Sequence, residues 1–344
     1  MTGVFFLLTI KIIKVKKPAF TIGTDVSKST LDVYCTEVNK HIKVSNDSIG
    51  FKAFLKFCKE QKINLNDALI VLEYTGGYEY RWIQFCASKN IPYVRIPGLA
   101  IKRSLGISRG KNDRVDATRI ANYGDEKFKQ LEPEKPINTS ILKLKELLGF
   151  RKRLVRESAG YKASIKERNH MYEVPKSDII NKMLQKKLDA NDALLLQIEE
   201  AINDLILTDQ ALLTNYKLLT SIKGIGNVNA WMTIAYTENF TSFTSARSYA
   251  VYVGVIPFDH TSGTSIKGKR RVSKLANKEL KQELSQAAKS AIIWNEEMKE
   301  YATRKLTNKP YGIVVNNVKF KLILRMFTVV KKGENYVDIL KKAA

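Results

Sequence analysis

The stretch Phe20-Thr21-Ile22-Gly23-Thr24-Asp25-Val26-Ser27-Lys28-Ser29-Thr30-Leu31-Asp32-Val33 decides how this chain is read. Apolar and small residues lead to one acid, Asp25. A turn of small residues follows, and a second strand-like run, Leu31 to Val38, begins at once. The pattern predicts a β-hairpin that sets a carboxylate at the centre of a sheet. A charge buried there needs compensation, and a divalent cation is the usual one. Taken alone, the stretch is equally compatible with Asp25 capping a turn, so the other isolated acids decide.

Outward from the hairpin the pattern alternates strand and helix as far as about Glu126. His41–Val44 is strand-like, and Phe51, Phe54, Leu55 and Cys58 repeat at helical spacing. Ala68 to Leu72 is a continuous apolar run ending at Glu73, as expected of a strand buried on both faces. Gly77–Ser88 offers Tyr78, Trp82 and Phe85 to a second helix. Tyr93 to Ile96 is a short strand closed by Pro97-Gly98, and a last helix starts near Asn112 or Asp113, with Asn112 as its N-cap. A hairpin followed by βα units is a mixed α/β sheet.

Four acids stand out on this frame. Asp25 is on the first strand, Glu73 at the end of a later one, and Asp113 and Asp116 share a face at a helix start. Singly, each has a plain structural role, as the polar end of a strand or as a complement to the helix dipole. Together, carboxylates converging from separate elements are a way to hold hard cations for in-line attack on phosphate. Arg103, Arg109, Lys111 and Arg114 supply positive charge around the last pair.

Composition narrows the partner. The 344 residues include 58 Lys and Arg against 34 Asp and Glu, a net charge of +24, which argues for a polyanion. Plentiful Tyr and Phe exclude a disordered basic tail. The rival polyanion is an anionic membrane, but Val4 to Ile13 contains Lys11 and is too short to span a bilayer. That segment reads as an extra strand or as an upstream-start artefact. Cys35, Cys58 and Cys86 lack metal-type spacing and suit buried packing in a reducing, cytoplasmic setting.

From Ile141 to Leu207 the pattern changes to long helices. Leu147, Leu154 and Tyr161 repeat at seven, and Leu184, Leu188, Leu195, Ile198, Ile202 and Leu205 alternate by three and four, with a break near Val174-Pro175-Lys176-Ser177. This predicts an antiparallel helical hairpin, packed within a protomer or between protomers. Leu218 to Ala230 has the look of a helix-hairpin-helix, in which Gly224 and Gly226 let backbone approach a phosphate beside Lys223. A plain turn is the alternative. Pro257 to Lys274 reads as a flexible basic loop. After Asp259 it has Lys267, Lys269, Arg270, Arg271 and Lys274 among hydroxyls and glycines and no acid, the composition of a phosphate cradle or of a solvated loop. Leu280, Leu284, Ala287, Ala288 and Ala291 mark one later helix, and Tyr311 to Val330 another.

Asp25 in Gly-Thr-Asp-Val-Ser-Lys, Glu73 in Glu-Tyr-Thr-Gly-Gly-Tyr, and Lys111-Asn112-Asp113-Arg114-Val115-Asp116-Ala117 resemble the acidic tetrad of the RNase H/RuvC-like domain of DEDD transposases. The similarity is to the insertion-sequence 110 family, the bridge-RNA-guided recombinases. Gly254-Val255-Ile256-Pro257, then Ser262-Gly263, a basic turn and Ser273-Lys274, resemble the signature of that family's C-terminal transposase domain. The resemblance spans about Thr21 to Lys331. It departs at Lys223, where the family usually carries proline.

The resemblance implies an architecture of α/β plus α. An N-terminal extension (1–17) would precede a RuvC-like nuclease domain (18–135), a coiled-coil hairpin used for oligomerisation (136–210) and a mostly helical transposase domain (211–344). It implies Ser262 as nucleophile, with Ser265 and Ser273 as competing hydroxyls, a covalent phosphoserine, and magnesium on Asp25, Glu73, Asp113 and Asp116. The implied partners are donor and target DNA, a structured bridge RNA and a second copy, as dimer or tetramer, in the cytoplasm at the nucleoid. Two alternatives stay open: a metal-dependent junction-resolving nuclease without covalent intermediate, and a non-catalytic nucleic-acid-binding protein.

Overall fold

The computed structural model describes residues 17–104, 113–136, 138–175, 177–262 and 266–338, with Asp113, 259–262 and 266–271 described by main chain alone. The expected N-terminal strand at Val4–Ile13, and Arg109, Lys111, Asn112 and Ser265, lie outside the described residues. The chain divides into two compact units at Pro136/Ile137.

The first unit is a five-stranded mixed sheet in the order β3-β2-β1-β4-β5. Its strands are β1 (Phe20–Val26), β2 (Thr30–Cys35), β3 (Lys40–Ser45), β4 (Ala68–Glu73) and β5 (Tyr93–Ile96). β1, β2 and β3 form an antiparallel meander, while β4 and β5 run parallel to β1. β2 stops at Cys35, short of the expected Val38, because the chain turns there and Asn39 takes a positive φ of 50°.

Alternate residues separate the two faces of the sheet. Ile22, Leu31, Val33, Cys35, Ile70 and Leu72 pack with α1 (Ser48–Glu60) and α2 (Tyr80–Ser88). At the heart of that layer Phe51 and Phe54 meet Trp82 at ring separations of 5.4 and 4.9 Å. Asp47 caps α1 by accepting from the Ile49 and Gly50 amides. All three cysteines are free and buried. α2 starts at Tyr80, later than the expected Gly77, because the preceding residues form a turn; Tyr78 is therefore exposed rather than in the core. Pro97-Gly98, expected only to close β5, also opens a short helix, α3 (Gly98–Ser104). The opposite face of the sheet carries α4 (Asp113–Lys127) and a smaller core of Leu69, Val71, Val94, Ile96, Ile101 and Ile120.

The second unit starts with α5 (Thr139–Met171) and α6 (Ile179–Thr208). Arg151 pairs with Glu199, Asn191 donates to Ser158, and Arg168 pairs with Asp178. As numbers rise on one helix they fall on the other, so the two are antiparallel and packed within one chain. Further helices then build a helical core around Trp231, Tyr249, Leu284, Leu322 and Met326. They are α7 (Gln210–Thr220), α8 (Asn227–Thr237), α9 (Ala246–Val253), α10 (Lys278–Trp294), α11 (Glu296–Leu306) and α12 (Tyr311–Lys332). The basic segment expected as a flexible loop is instead a two-stranded antiparallel ribbon, β6 (Phe258–Ser262) and β7 (Ile266–Arg271). With Phe258 and Ile266 as the only large apolar residues of the two strands, no apolar alternation gave a strand signal there.

Candidate active site

Strand register brings the first two acids together. Thr24 of β1 pairs with Leu72 of the parallel strand β4, and the next residue on each strand is an acid, Asp25 and Glu73. Neighbouring strands lie about 4.8 Å apart, and equivalent residues point to one face. That face is the one beneath α4. Gly23, two residues before Asp25, lies so close to α4 that a Cβ on it would overlap the Ala117 carbonyl and the Ala121 backbone. One further along, a Cβ on Gly124 would sit 2.5 Å from Val71 Cγ2 and 3.0 Å from Thr21 Cγ2.

α4 therefore runs antiparallel to β1, with Gly124 over Thr21 and Ala117 over Gly23. From Ala117 back to Asp113 is about 6 Å of helix, and from Gly23 on to Asp25 about 6.6 Å of strand. The helix start bearing Asp113 and Asp116 is thus level with Asp25. The Asp116 carboxylate is half-buried and accepts from Arg119 Nη1 at 3.0 Å. Asp113's side chain lies outside the described residues. Among the described residues, no three of His, Cys, Asp and Glu are close enough to hold one ion. Asp25 and Glu73 each have other interactions.

In the second unit Ser262 is the last residue of β6, paired in register with Ile266 of β7. Lys267, Lys269, Arg270 and Arg271 belong to β7; their side chains and that of Ser262 lie outside the described residues. Lys274 beyond the ribbon is exposed, as are Arg103 and Arg114 in the first unit.

The predicted phosphate-approaching turn has a second explanation. Gly224, at a φ of 100°, is pressed on α10: a Cβ there would lie 2.6 Å from Ala291 Cβ and 3.0 Å from the Ala287 carbonyl. Packing alone accounts for that glycine. Gly226, the N-cap of α8, has open space beside its Cα, and Lys223 reaches Asp338 at 3.6 Å.

Comparison with known proteins bears on both units. A model of DEDD transposases of the insertion-sequence 110 type, described as a transposase, matches residues 22–172. A second, described as "Transposase IS116/IS110/IS902 family", matches residues 216–303. The chain belongs to the insertion-sequence 110 transposase family. Pilin gene-inverting proteins from Moraxella lacunata and Moraxella bovis are each 27% identical to it over 272 residues, covering 76% of this chain and 80% of theirs. As a member of the family, the protein is a DNA transposase or recombinase. The four acids fall inside the first matched segment and Ser262 inside the second.

Three further residues shape the transposase's acidic end. Asn46, 4% exposed, donates from Nδ2 to the carbonyls of Ser27 and Tyr78, both at 3.0 Å. It thereby ties the loop after Asp25 to the loop after Glu73. Glu79, also buried, accepts from the Thr75 hydroxyl at 2.7 Å and the Gly77 amide at 2.8 Å, closing the turn that follows Glu73. Asp32 is the cross-strand partner of Asp25 and is buried between His41 at 3.2 Å and Lys43 at 3.1 Å. Burial, offset in part by Asp32, holds His41 below its ordinary pKa. The signal for Asp32 was its spacing, seven residues after Asp25 in a strand of opposite direction. Asn46 binds two carbonyls and Glu79 an amide as well as the Thr75 hydroxyl, and main-chain partners leave no trace in residue pattern.

Proposed function

We propose that this transposase cleaves and exchanges DNA strands with Ser262 as nucleophile, while Asp25, Glu73, Asp113 and Asp116 hold a divalent cation. The observation that carries the reading is the matched end-of-strand position of Asp25 and Glu73 beneath the acidic start of α4. An all-oxygen donor set suits a hard cation such as magnesium. When bound, the ion supplies Lewis-acid polarisation of a phosphoryl oxygen. Asp116 keeps one carboxylate oxygen on Arg119 and has the other for this task.

A serine hydroxyl is a weak nucleophile and needs a base or a cationic setting. The cationic residues of β7 and Lys274 would stabilise the charge that builds on the phosphate. Attack of Ser262 Oγ on phosphorus breaks the bond to the leaving deoxyribose oxygen, which takes up a proton. The resulting phosphoserine keeps a phosphodiester that a second strand's hydroxyl can attack, freeing Ser262 and rejoining DNA. No high-energy cofactor is needed for that exchange.

The charge of +24 supports a second polyanion beside DNA, a structured bridge RNA whose base pairing reads sequence while the protein reads phosphates. Exposed Ile179, Met183 and Leu196 on α6 support use of the helical hairpin between copies of the chain. Among the described residues, no helix is long and apolar enough to cross a membrane.

Ser262→Ala should abolish strand exchange and the DNA-linked protein band on a denaturing gel, with nucleic-acid binding retained. An adduct that survives in this variant sinks the nucleophile assignment. Cleavage by wild type without any adduct favours the water-using resolvase. Asp25→Asn should remove divalent-ion-dependent cleavage, and unchanged cleavage in that variant refutes the metal role.

A further inference from the structure

The core of the second unit contains a lysine with no acid. Lys319, on α12, is 5% exposed, and among the described residues it makes no ion pair. Its ammonium donates to the Ser285 hydroxyl of α10 at 3.0 Å. Ser285 in turn donates to the Lys281 carbonyl at 2.7 Å, so its hydrogen is committed and only its oxygen faces the amine. Lys281, whose carbonyl holds the Ser285 hydroxyl, adds a charge of the same sign that disfavours the ammonium. An ammonium carries three donors, and one hydroxyl does not satisfy them. A buried cation beside a second cation is destabilising unless an anion completes the site.

The place of this pair in the fold suggests the anion. Gly254 caps α9, and a Cβ on it would touch Lys281 Cδ at 4.0 Å. Asn316, three residues before Lys319, donates to the Val255 carbonyl at 2.7 Å. From Val255 the chain leaves directly for β6 and Ser262. Lys281 and Ser285 are only half-buried, so the amine lies just beneath the surface at the root of the ribbon.

We propose that Lys319 and Lys281, with the Ser285 hydroxyl, form a seat for one backbone phosphate of DNA at the root of the β6–β7 ribbon. The seat rests on the reading of Ser262 only for the choice of DNA as the strand that passes there. Two ammonium groups and a hydroxyl match the charge and acceptor geometry of a phosphodiester, and the compensation missing from the protein alone is then supplied by the ligand.

The test is a salt titration of full-length protein with a 30-base-pair duplex, alongside a structured RNA of similar charge. Lys319→Met keeps volume and removes the charge. It should weaken duplex binding about tenfold at low salt and flatten the logarithmic salt slope by about one, as loss of one phosphate contact requires. Lys281→Gln, at a half-buried position, should give the same flattening without any packing change, and Lys319→Arg should restore most of the slope. Unchanged affinity and slope in both neutral variants overturn the seat, and so does a loss confined to RNA. Because the readout is binding, the proposal stands or falls apart from catalysis: an active Ser262→Ala protein refutes the nucleophile and leaves the seat untouched.

Discussion

The carboxylate of Glu73 rests on the α-carbon of Gly98, the first residue of α3, so closely that a methyl group at position 98 would overlap it. This contact fixes where the acid at the end of β4 can lie. Gly98→Ala leaves the backbone conformation allowed and displaces only a flexible side-chain end. The expected outcome is a folded protein, within about 1 kcal/mol of wild type by urea unfolding, whose cleavage falls at least tenfold and is partly restored at higher divalent-ion concentration. A variant with wild-type cleavage and ion dependence shows that the seat of Glu73 is irrelevant to catalysis.

Gly23 stands in a different situation, because its neighbour is backbone. The carbonyl of Ala117 and the main chain of Ala121 cannot step aside without moving α4. Gly23→Ala should therefore destabilise the first unit by about 1–3 kcal/mol, the range of overpacked cores. The denaturant midpoint of that unit reports the loss. Pairing it with Ala117→Gly does not help, since the clash is with the peptide group, and a rescue by that second change would contradict the packing described.

Asn46 links the loops that follow the Asp25 and Glu73 strands through the Ser27 and Tyr78 carbonyls. Asn46→Ala removes both bonds and frees the loops relative to each other. A drop in turnover with unchanged DNA affinity is expected, because Asn46 spends its donors on protein carbonyls and the geometry of the acids is what loosens. Equal losses in affinity and turnover would point to general unfolding. Asn46→Asp gives a sharper comparison, since it keeps the shape but replaces the donor by a second acceptor.

Lys319 gives a pH signature. Burial first and Lys281 second lower its pKa from about 10.5 to about 8. The unfolded chain then holds the proton more tightly than the folded one. Below pH 8 both forms are charged and the destabilisation is complete; between pH 8 and 10.5 the folded form loses its proton first and the destabilisation fades. Wild type should gain stability relative to Lys319→Met across that window, by about 3.5 kcal/mol at most at 1.4 kcal/mol per unit. Urea unfolding of both proteins at pH 7.5 and 10 checks this. A constant difference means the amine is not desolvated. Using the difference cancels the buried thiols, whose pKa values burial raises.

The strands β1, β4 and β5, the long helices and the α10 face were legible because each is hydrophobic with a clear period. Phe54 and Trp82 on one layer, and Leu280, Leu284 and Ala287 on another, are buried where their spacing predicts. The ribbon β6–β7 was not legible, since Phe258 and Ile266 are its only large apolar residues and no apolar alternation marks either strand. Gly224 has a packing role that its motif did not announce: α10 approaches so closely that a Cβ there would meet Ala291 and the Ala287 carbonyl.

The sequence by itself determined the kinds of elements, the presence of four isolated acids and the strongly cationic character, because periodicity and charge are properties of composition and order. Which acids are neighbours was decided only by tertiary structure. The parallel register of β1 with β4 sets Asp25 beside Glu73, and the glycines at 23 and 124 let α4 descend until its acidic start is level with them. Register and close approach depend on residues far apart in the chain, and no local pattern encodes them.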